Sequence, residues 1–199
     1  MKVAIAKLVS VSAYSQSRHY SDDVPRKAKE LPGAYEERTW RSRLHVTPDG
    51  YVEIPGTSFA NSLKACAKRL KLQVPGKGRV EFTKYFEAGI MVPDSLKLPI
   101  KAEDVQCDKL FVPSDGKRGG GKRVTKFFPR IDSWSGDVTF YIFDDIITED
   151  VFTQVLRACG MLVGIGRFRP ENCGFYGRFD VKSIHWTEDA ESMFARAAE

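Results

Sequence analysis

The sequence predicts an α+β fold: a modified ferredoxin-like arrangement of four antiparallel strands with two helices on one face, interrupted by large insertions. Three observations predict it. Residues 2–14 alternate apolar and small polar side chains, the period of a half-buried strand, and 137–143 and 175–184 also read as strands. Residues 57–70 and 148–163 each carry an apolar stripe at helical spacing. Stripped of insertions, the order is strand, helix, strand, strand, helix, strand.

The first strand, KVAIAKLVSVSAY, is rich in Val and Ile. Periodicity then vanishes over residues 15–40, and a loop of that length in a compact domain is functional or disordered. A helical turn or two is expected at 36–43. Short strands at 43–47 and 51–54 flank Pro48-Asp49-Gly50, where proline presets φ and glycine accepts a positive φ. The first helix is expected to be capped by Thr57 or Ser58. It carries Phe59, Leu63, Cys66 and Leu70 on one face and Asn61, Lys64, Lys68 and Lys71 on another. Pro75-Gly76-Lys77-Gly78 breaks it, and 79–83 reads as a short strand.

Residues 15–50 and 85–135 are the two insertions of a single domain spanning 1–199. The second reads as a subdomain bearing a flexible, glycine-rich basic finger at 116–123. Thr148 is a good N-cap, with Glu149 and Asp150 favourable in the first turn. Val151, Phe152, Val155, Leu156, Cys159 and Leu162 give the second helix an apolar stripe that runs to about residue 163. A glycine-studded loop over 164–174 precedes the last strand, and 188–199 reads as a short helix.

At 199 residues, 42% hydrophobic and 29% charged, the chain can build a packed core. No apolar run reaches the roughly 18–20 residues of a membrane span. The start lacks a signal-peptide pattern, so a cytoplasmic protein without membrane association is expected. Cys66, Cys107, Cys159 and Cys173 form no C-x-x-C pair and no zinc spacing. Cys66 and Cys159 read as small buried thiols, and no metal or cofactor is expected. Lys and Arg total 31 against 26 acids, a net charge of +5 that permits nucleic-acid binding without demanding it.

Three constellations could carry function. In residues 164–179, Arg167, Arg169 and Arg178 alternate with glycines and with Phe168, Phe175 and Tyr176. Guanidinium groups can neutralise phosphates while rings take bases, as single-stranded nucleic acid requires. The glycines let the main chain approach a ligand; the competing reading is a tight turn with its aromatics packed inward. Gly116 to Lys122 nearly matches a phosphate-binding P-loop. Arg123 replaces its Ser/Thr, and Pro129 argues against a following helix, so an ATPase is rejected. Its basic tract (Lys117, Arg118, Lys122, Arg123, Lys126, Arg130) is a solvated loop or a phosphate clamp. Lastly, His19, Asp22 and Asp23 could support metal-assisted RNA cleavage, although adjacent loop carboxylates more often solubilise.

Two segments of the chain resemble motifs of the RAMP superfamily, the RRM-like subunits of CRISPR effector complexes. Residues 51–64, YVEIPGTSFANSLK, resemble its I-P-G-S-S-L-K-G-x-L-R segment. The glycine-rich loop and Gly174-Phe175-Tyr176-Gly177-Arg178 resemble its G-x-x-x-S-R-G-Y-G-R loop. Asn61-Ser62 and Glu171-Asn172-Cys173 depart from those patterns. The resemblance implies a backbone-type subunit that polymerises along RNA and grips the strand with an inserted finger; it is compatible with a stand-alone or mobile-element-encoded homologue.

The expected function is therefore non-enzymatic gripping of single-stranded RNA, guide or target, by a subunit that self-associates or joins other effector-complex subunits. Phosphates would meet Lys64, Lys68, Arg167, Arg169 and Arg178, supplemented by Arg18 and by the finger with Lys117, Arg118, Lys122, Arg123 and Lys126. Phe168, Phe175 or Tyr176 would stack on bases, and Gly56, Gly164, Gly166, Gly174 and Gly177 would admit the backbone. The alternatives are a single-stranded DNA-binding or annealing protein of a mobile element, a metal-dependent ribonuclease using Asp22, Asp23 or His19, and a protein-interaction module.

Overall fold

The computed structural model of the chain describes residues 1–20, 24–114 and 121–188. Asp22, Asp23, Gly116, Lys117, Arg118 and the expected helix after residue 188 lie outside the described residues.

The central sheet holds β1 (Lys2–Ser10), β3 (Ile90–Met91), β7 (Ser135–Ile142) and β8 (Phe179–Thr187). Its order is β3-β7-β1-β8, with every neighbouring pair antiparallel. Strand alternation aims Ala4, Ala6 and Leu8 of β1, and Val138, Phe140 and Ile142 of β7, into the hydrophobic core. The two longest described helices line that core. Phe59, Leu63, Cys66 and Ala67 of α2 (Gly56–Leu70) are buried, as are Phe152, Val155, Leu156 and Cys159 of α4 (Glu149–Leu162). The helices meet where the Cys66 thiol donates to the Val155 carbonyl at 3.5 Å and the Ser62 hydroxyl meets the Cys159 thiol at 3.0 Å. Burial pushes the Cys66 thiol up to about 11 and the Cys159 thiol higher still, as inert core thiols require. Among the described residues, none of the four cysteines forms a disulfide.

Outside the sheet, β2 (Tyr51–Ile54) pairs with β4 (Leu96–Lys101). The ribbon β5 (Gln106–Pro113) and β6 (Arg123–Arg130) pairs in register from Gln106↔Arg130 to Pro113↔Arg123. The helix α1 (Pro32–Thr39) runs into a 3-10 turn (Trp40–Arg43), and α3 (Thr83–Ala88) precedes β3. No described helix is long and apolar enough to cross a membrane.

Several elements differ from the sequence reading. Residues 79–83 form no strand: Glu81 makes one isolated bridge to Gln73, and Phe82 and Phe86, four apart and both buried, favour the short helix α3. The strand in that slot of the sheet is β3, inside the stretch read as an insertion. Residues 43–47 keep only the bridge Val46↔Val52, because the 3-10 turn carries Arg43 inward. Thr57 and Ser58 do not cap α2; Pro55 holds the N-cap position without a side-chain bond, and both residues lie inside the first turn. Thr148 does cap α4, accepting from the Val151 amide. The last strand starts at Phe179 rather than 175, since Gly177 turns the chain at φ +77°.

Candidate nucleic-acid interface

The loop between α4 and β8 is fastened before it reaches any ligand. The Gly164 amide donates to the Cys159 carbonyl at 2.8 Å, and the Ser62 hydroxyl donates to the Gly164 carbonyl at 2.6 Å. Beyond that, Ile165 donates to Gly177 at 2.9 Å, Gly177 to Ala13 at 2.7 Å, Arg167 to Ser15 at 2.7 Å and Tyr176 to Phe168 at 3.0 Å. The loop is thereby laced to itself and to the segment that follows β1.

This lacing is what the glycines serve. A Cβ at Gly174 would stand 1.7 Å from the Phe168 carbonyl oxygen, and one at Gly177 1.9 Å from that of Ile165. At Gly166 it would stand 2.4 Å from the Ser15 carbonyl oxygen, and at Gly164 2.7 Å from the Pro170 ring. Gly56 is equally tight, 2.4 Å from the Val92 carbonyl oxygen. The close approach these five positions permit is to the chain itself.

The three loop arginines meet three different fates. Arg169 is paired with Glu171, its Nε donating at 2.8 Å. Arg178 donates from Nε to the Met161 carbonyl at 3.3 Å. Arg167 has no carboxylate of its own among the described residues. Its guanidinium carbon stands 3.7 Å from the centroid of the Phe128 ring and 4.6 Å from that of Phe168, and its buried Nε has no partner. Burial, with nearby Arg43 adding to it and Glu36 opposing, lowers its pKa to about 10.

The aromatics also diverge. Phe168, at φ +55°, packs edge-on against Phe128 (5.7 Å) and Tyr176 (6.1 Å). The Tyr176 hydroxyl donates to the Asp108 carboxylate on β5. Phe175 is 81% exposed, so its ring is available for stacking. These contacts seat the loop against the β5–β6 ribbon: two segments read separately from the sequence share one surface. On β6, Lys126 lies 4.0 Å from Glu36, and the exposed Arg123 sits over the Phe111 ring at 5.5 Å. Lys122 is exposed at the base of the finger, and its carbonyl accepts from the Ser114 amide at 2.8 Å.

The remaining candidates stand apart. Lys64 and Lys68 lie on the solvent side of α2, away from the buried face of Phe59, Leu63 and Cys66. Arg18 is exposed, donates its amide to the Arg43 carbonyl at 2.8 Å, and contributes to the field at His45. His19 is exposed. Among the described residues no group of three His, Cys, Asp or Glu side chains could hold a metal ion.

The sequence reading missed Arg43, Glu36 and Phe128. Arg43 is nearly buried, ion-paired to Glu36 at 2.6 Å, and sits over the rings of Tyr20 (5.0 Å) and Phe128 (5.1 Å). No local pattern marks it, because its partners come from three separate stretches of chain.

No protein-family model matches this chain, and no curated protein matches it. Among solved structures it is similar to Cmr6 from Pyrococcus furiosus, with 12% identity, a TM-score of 0.46, and coverage of 91% of this chain and 99% of that one. It is also similar to a chain of the type III-B Cmr-beta complex bound to cognate target RNA, with 8% identity, a TM-score of 0.46, and coverage of 93% of this chain and 60% of that one.

Proposed function

We propose that this chain is an RNA-binding subunit of a CRISPR-type ribonucleoprotein, built on a modified ferredoxin-like (RRM-like) core and self-associating along single-stranded RNA. The antiparallel sheet order β3-β7-β1-β8, with α2 and α4 as the two crossover helices, supports that core. The two motif resemblances in the sequence support the ribonucleoprotein setting.

One observation carries the RNA-gripping part: the glycine-rich loop and the basic ribbon lie against each other through Phe168–Phe128 and Tyr176–Asp108, bringing Arg167, Lys126 and the exposed Phe175 into one region. Cations that follow a phosphate backbone beside an open ring are what sequence-tolerant single-strand binding needs.

Fluorescence anisotropy with a labelled oligouridine over a salt series tests the proposal. Affinity is expected to fall steeply, each neutralised phosphate contributing roughly −0.7 to the log–log slope. A flat salt response overturns it. Competition with a matched DNA oligomer decides the nucleic acid, since only RNA offers a 2′-hydroxyl. The role is proposed as non-enzymatic. RNA cleavage in Mg²⁺ or Mn²⁺ that Asp22→Ala or Asp23→Ala abolishes would replace it with the ribonuclease reading.

A further inference from the structure

We propose that Arg43 and Arg167, gathered around the Phe128 ring, form a preorganised oxyanion pocket that takes one phosphate group, a phosphodiester of single-stranded nucleic acid. Only the source of that phosphate rests on the RNA-binding reading.

The argument starts from charge. Arg43 comes from the 3-10 turn, Arg167 from the glycine-rich loop and Lys126 from β6, while Glu36 of α1 is the carboxylate that meets this group among the described residues. Glu36 is engaged by Arg43 at 2.6 Å and lies 4.0 Å from Lys126, which leaves Arg167 without a counter-ion. Three cations therefore face one anion. A partly buried guanidinium with an orphaned Nε and a like charge beside it is costly, and an oxyanion removes that cost.

Geometry comes next. Both guanidinium carbons stand over the buried Phe128 ring, at 5.1 Å for Arg43 and 3.7 Å for Arg167. Stacking holds the Arg167 guanidinium by its face and leaves its N–H edge free, an edge that matches the spacing of phosphate oxygens, while Arg43 keeps its terminal nitrogens on Ser17 and Glu36 and contributes its charge. The main chain fixes the site further, since the Arg167 amide is tied to the Ser15 carbonyl at 2.7 Å. Phe168 adopts φ +55°, a conformation a bulky side chain rarely takes, and in it the ring supports the Arg167 guanidinium.

The test uses the full chain with ¹⁵N-labelled arginine, following side-chain Nε–Hε resonances by NMR. Inorganic phosphate and a 12-nucleotide oligouridine are the two probes. Saturable movement of the Arg167 resonance by both is expected. Arg167→Gln should weaken oligouridine binding about tenfold, the equivalent of one charge-assisted contact, and reduce the salt slope by about 0.7. Arg167→Lys should restore the slope without restoring the affinity, because ammonium keeps the charge and loses the fork. Circular dichroism of each variant checks folding.

Oligouridine binding with the Arg167 resonance unmoved and Arg167→Gln unaffected overturns the pocket and leaves the RNA-binding reading standing. Saturation by inorganic phosphate with no oligouridine binding supports the pocket as a free-phosphate site and overturns the RNA-binding reading. An Arg167 resonance moved by neither probe overturns the pocket.

Discussion

The polar stripe of α2 and the loop between α4 and β8 are both cationic strips in the sequence, yet they are built differently. Lys64 and Lys68 project from the solvent side of a helix, and nothing among the described residues orders their ammonium groups. Arg167 is held by two rings, by its own amide and by a loop whose glycines let carbonyl oxygens pack where a Cβ would collide. Equal charge therefore does not mean equal use. A flexible lysine loses rotamer freedom when it meets a phosphate, whereas a stacked arginine has already lost it on folding.

The strongest way to break this contrast is to unlace the loop. Gly177→Ala places a Cβ against the Ile165 carbonyl at a backbone φ of +77°, so a stability loss of about 3 kcal/mol is expected in chemical denaturation. RNA binding should fall with it. An unchanged denaturation midpoint would show that the loop is not locked.

Phe175→Ala sharpens the contrast from the other side. The ring is 81% exposed, so stability should change by less than about 0.5 kcal/mol while oligouridine affinity falls by about 1–2 kcal/mol from lost base stacking. Equal affinity for both proteins would remove Phe175 from the interface.

A smaller effect is expected at the helix. Lys68→Gln should weaken RNA binding by no more than about 0.5 kcal/mol, the scale of one exposed, screened charge. A loss matching that of Arg167→Gln would equate the two strips and defeat the comparison.

The smallest effect is a pH dependence. Burial, followed by the Asp108 carboxylate that accepts its hydrogen bond, pushes the Tyr176 hydroxyl up to about 12. An acid whose folded-state pKa is raised stabilises the fold fully below its unfolded value near 10 and loses that contribution as pH climbs toward 12. Unfolding measured from pH 9 to 12 should therefore fall less steeply in Tyr176→Phe than in the wild type. Parallel curves would mean that the loop-to-ribbon clasp contributes nothing.

Legibility in the sequence followed the range of the forces involved. The stripe Phe59, Leu63, Cys66 and the capped run from Thr148 announced α2 and α4 because helix periodicity and capping act over a few residues. The long alternating strands were visible for the same reason. The two-residue β3 was not: its pairing with Tyr141 and Ile142 depends on a partner some fifty residues away, and Ile90–Met91 is too short to show a period. Residues 79–83 misled because Phe82 and Phe86 also fit a helical turn once the core takes both rings.

At the candidate site, the sequence alone determined which residue types are present: arginines, glycines and aromatics crowded between the second long helix and the last strand. Tertiary structure decided what each one does. It gave Arg169 to Glu171, turned the glycines toward neighbouring carbonyls, and brought Arg43 and Phe128 beside Arg167 from segments about 40 or more residues distant in sequence. A guanidinium's partner is set by distance in space, and no local pattern encodes a contact whose other half is supplied by a different element of the fold.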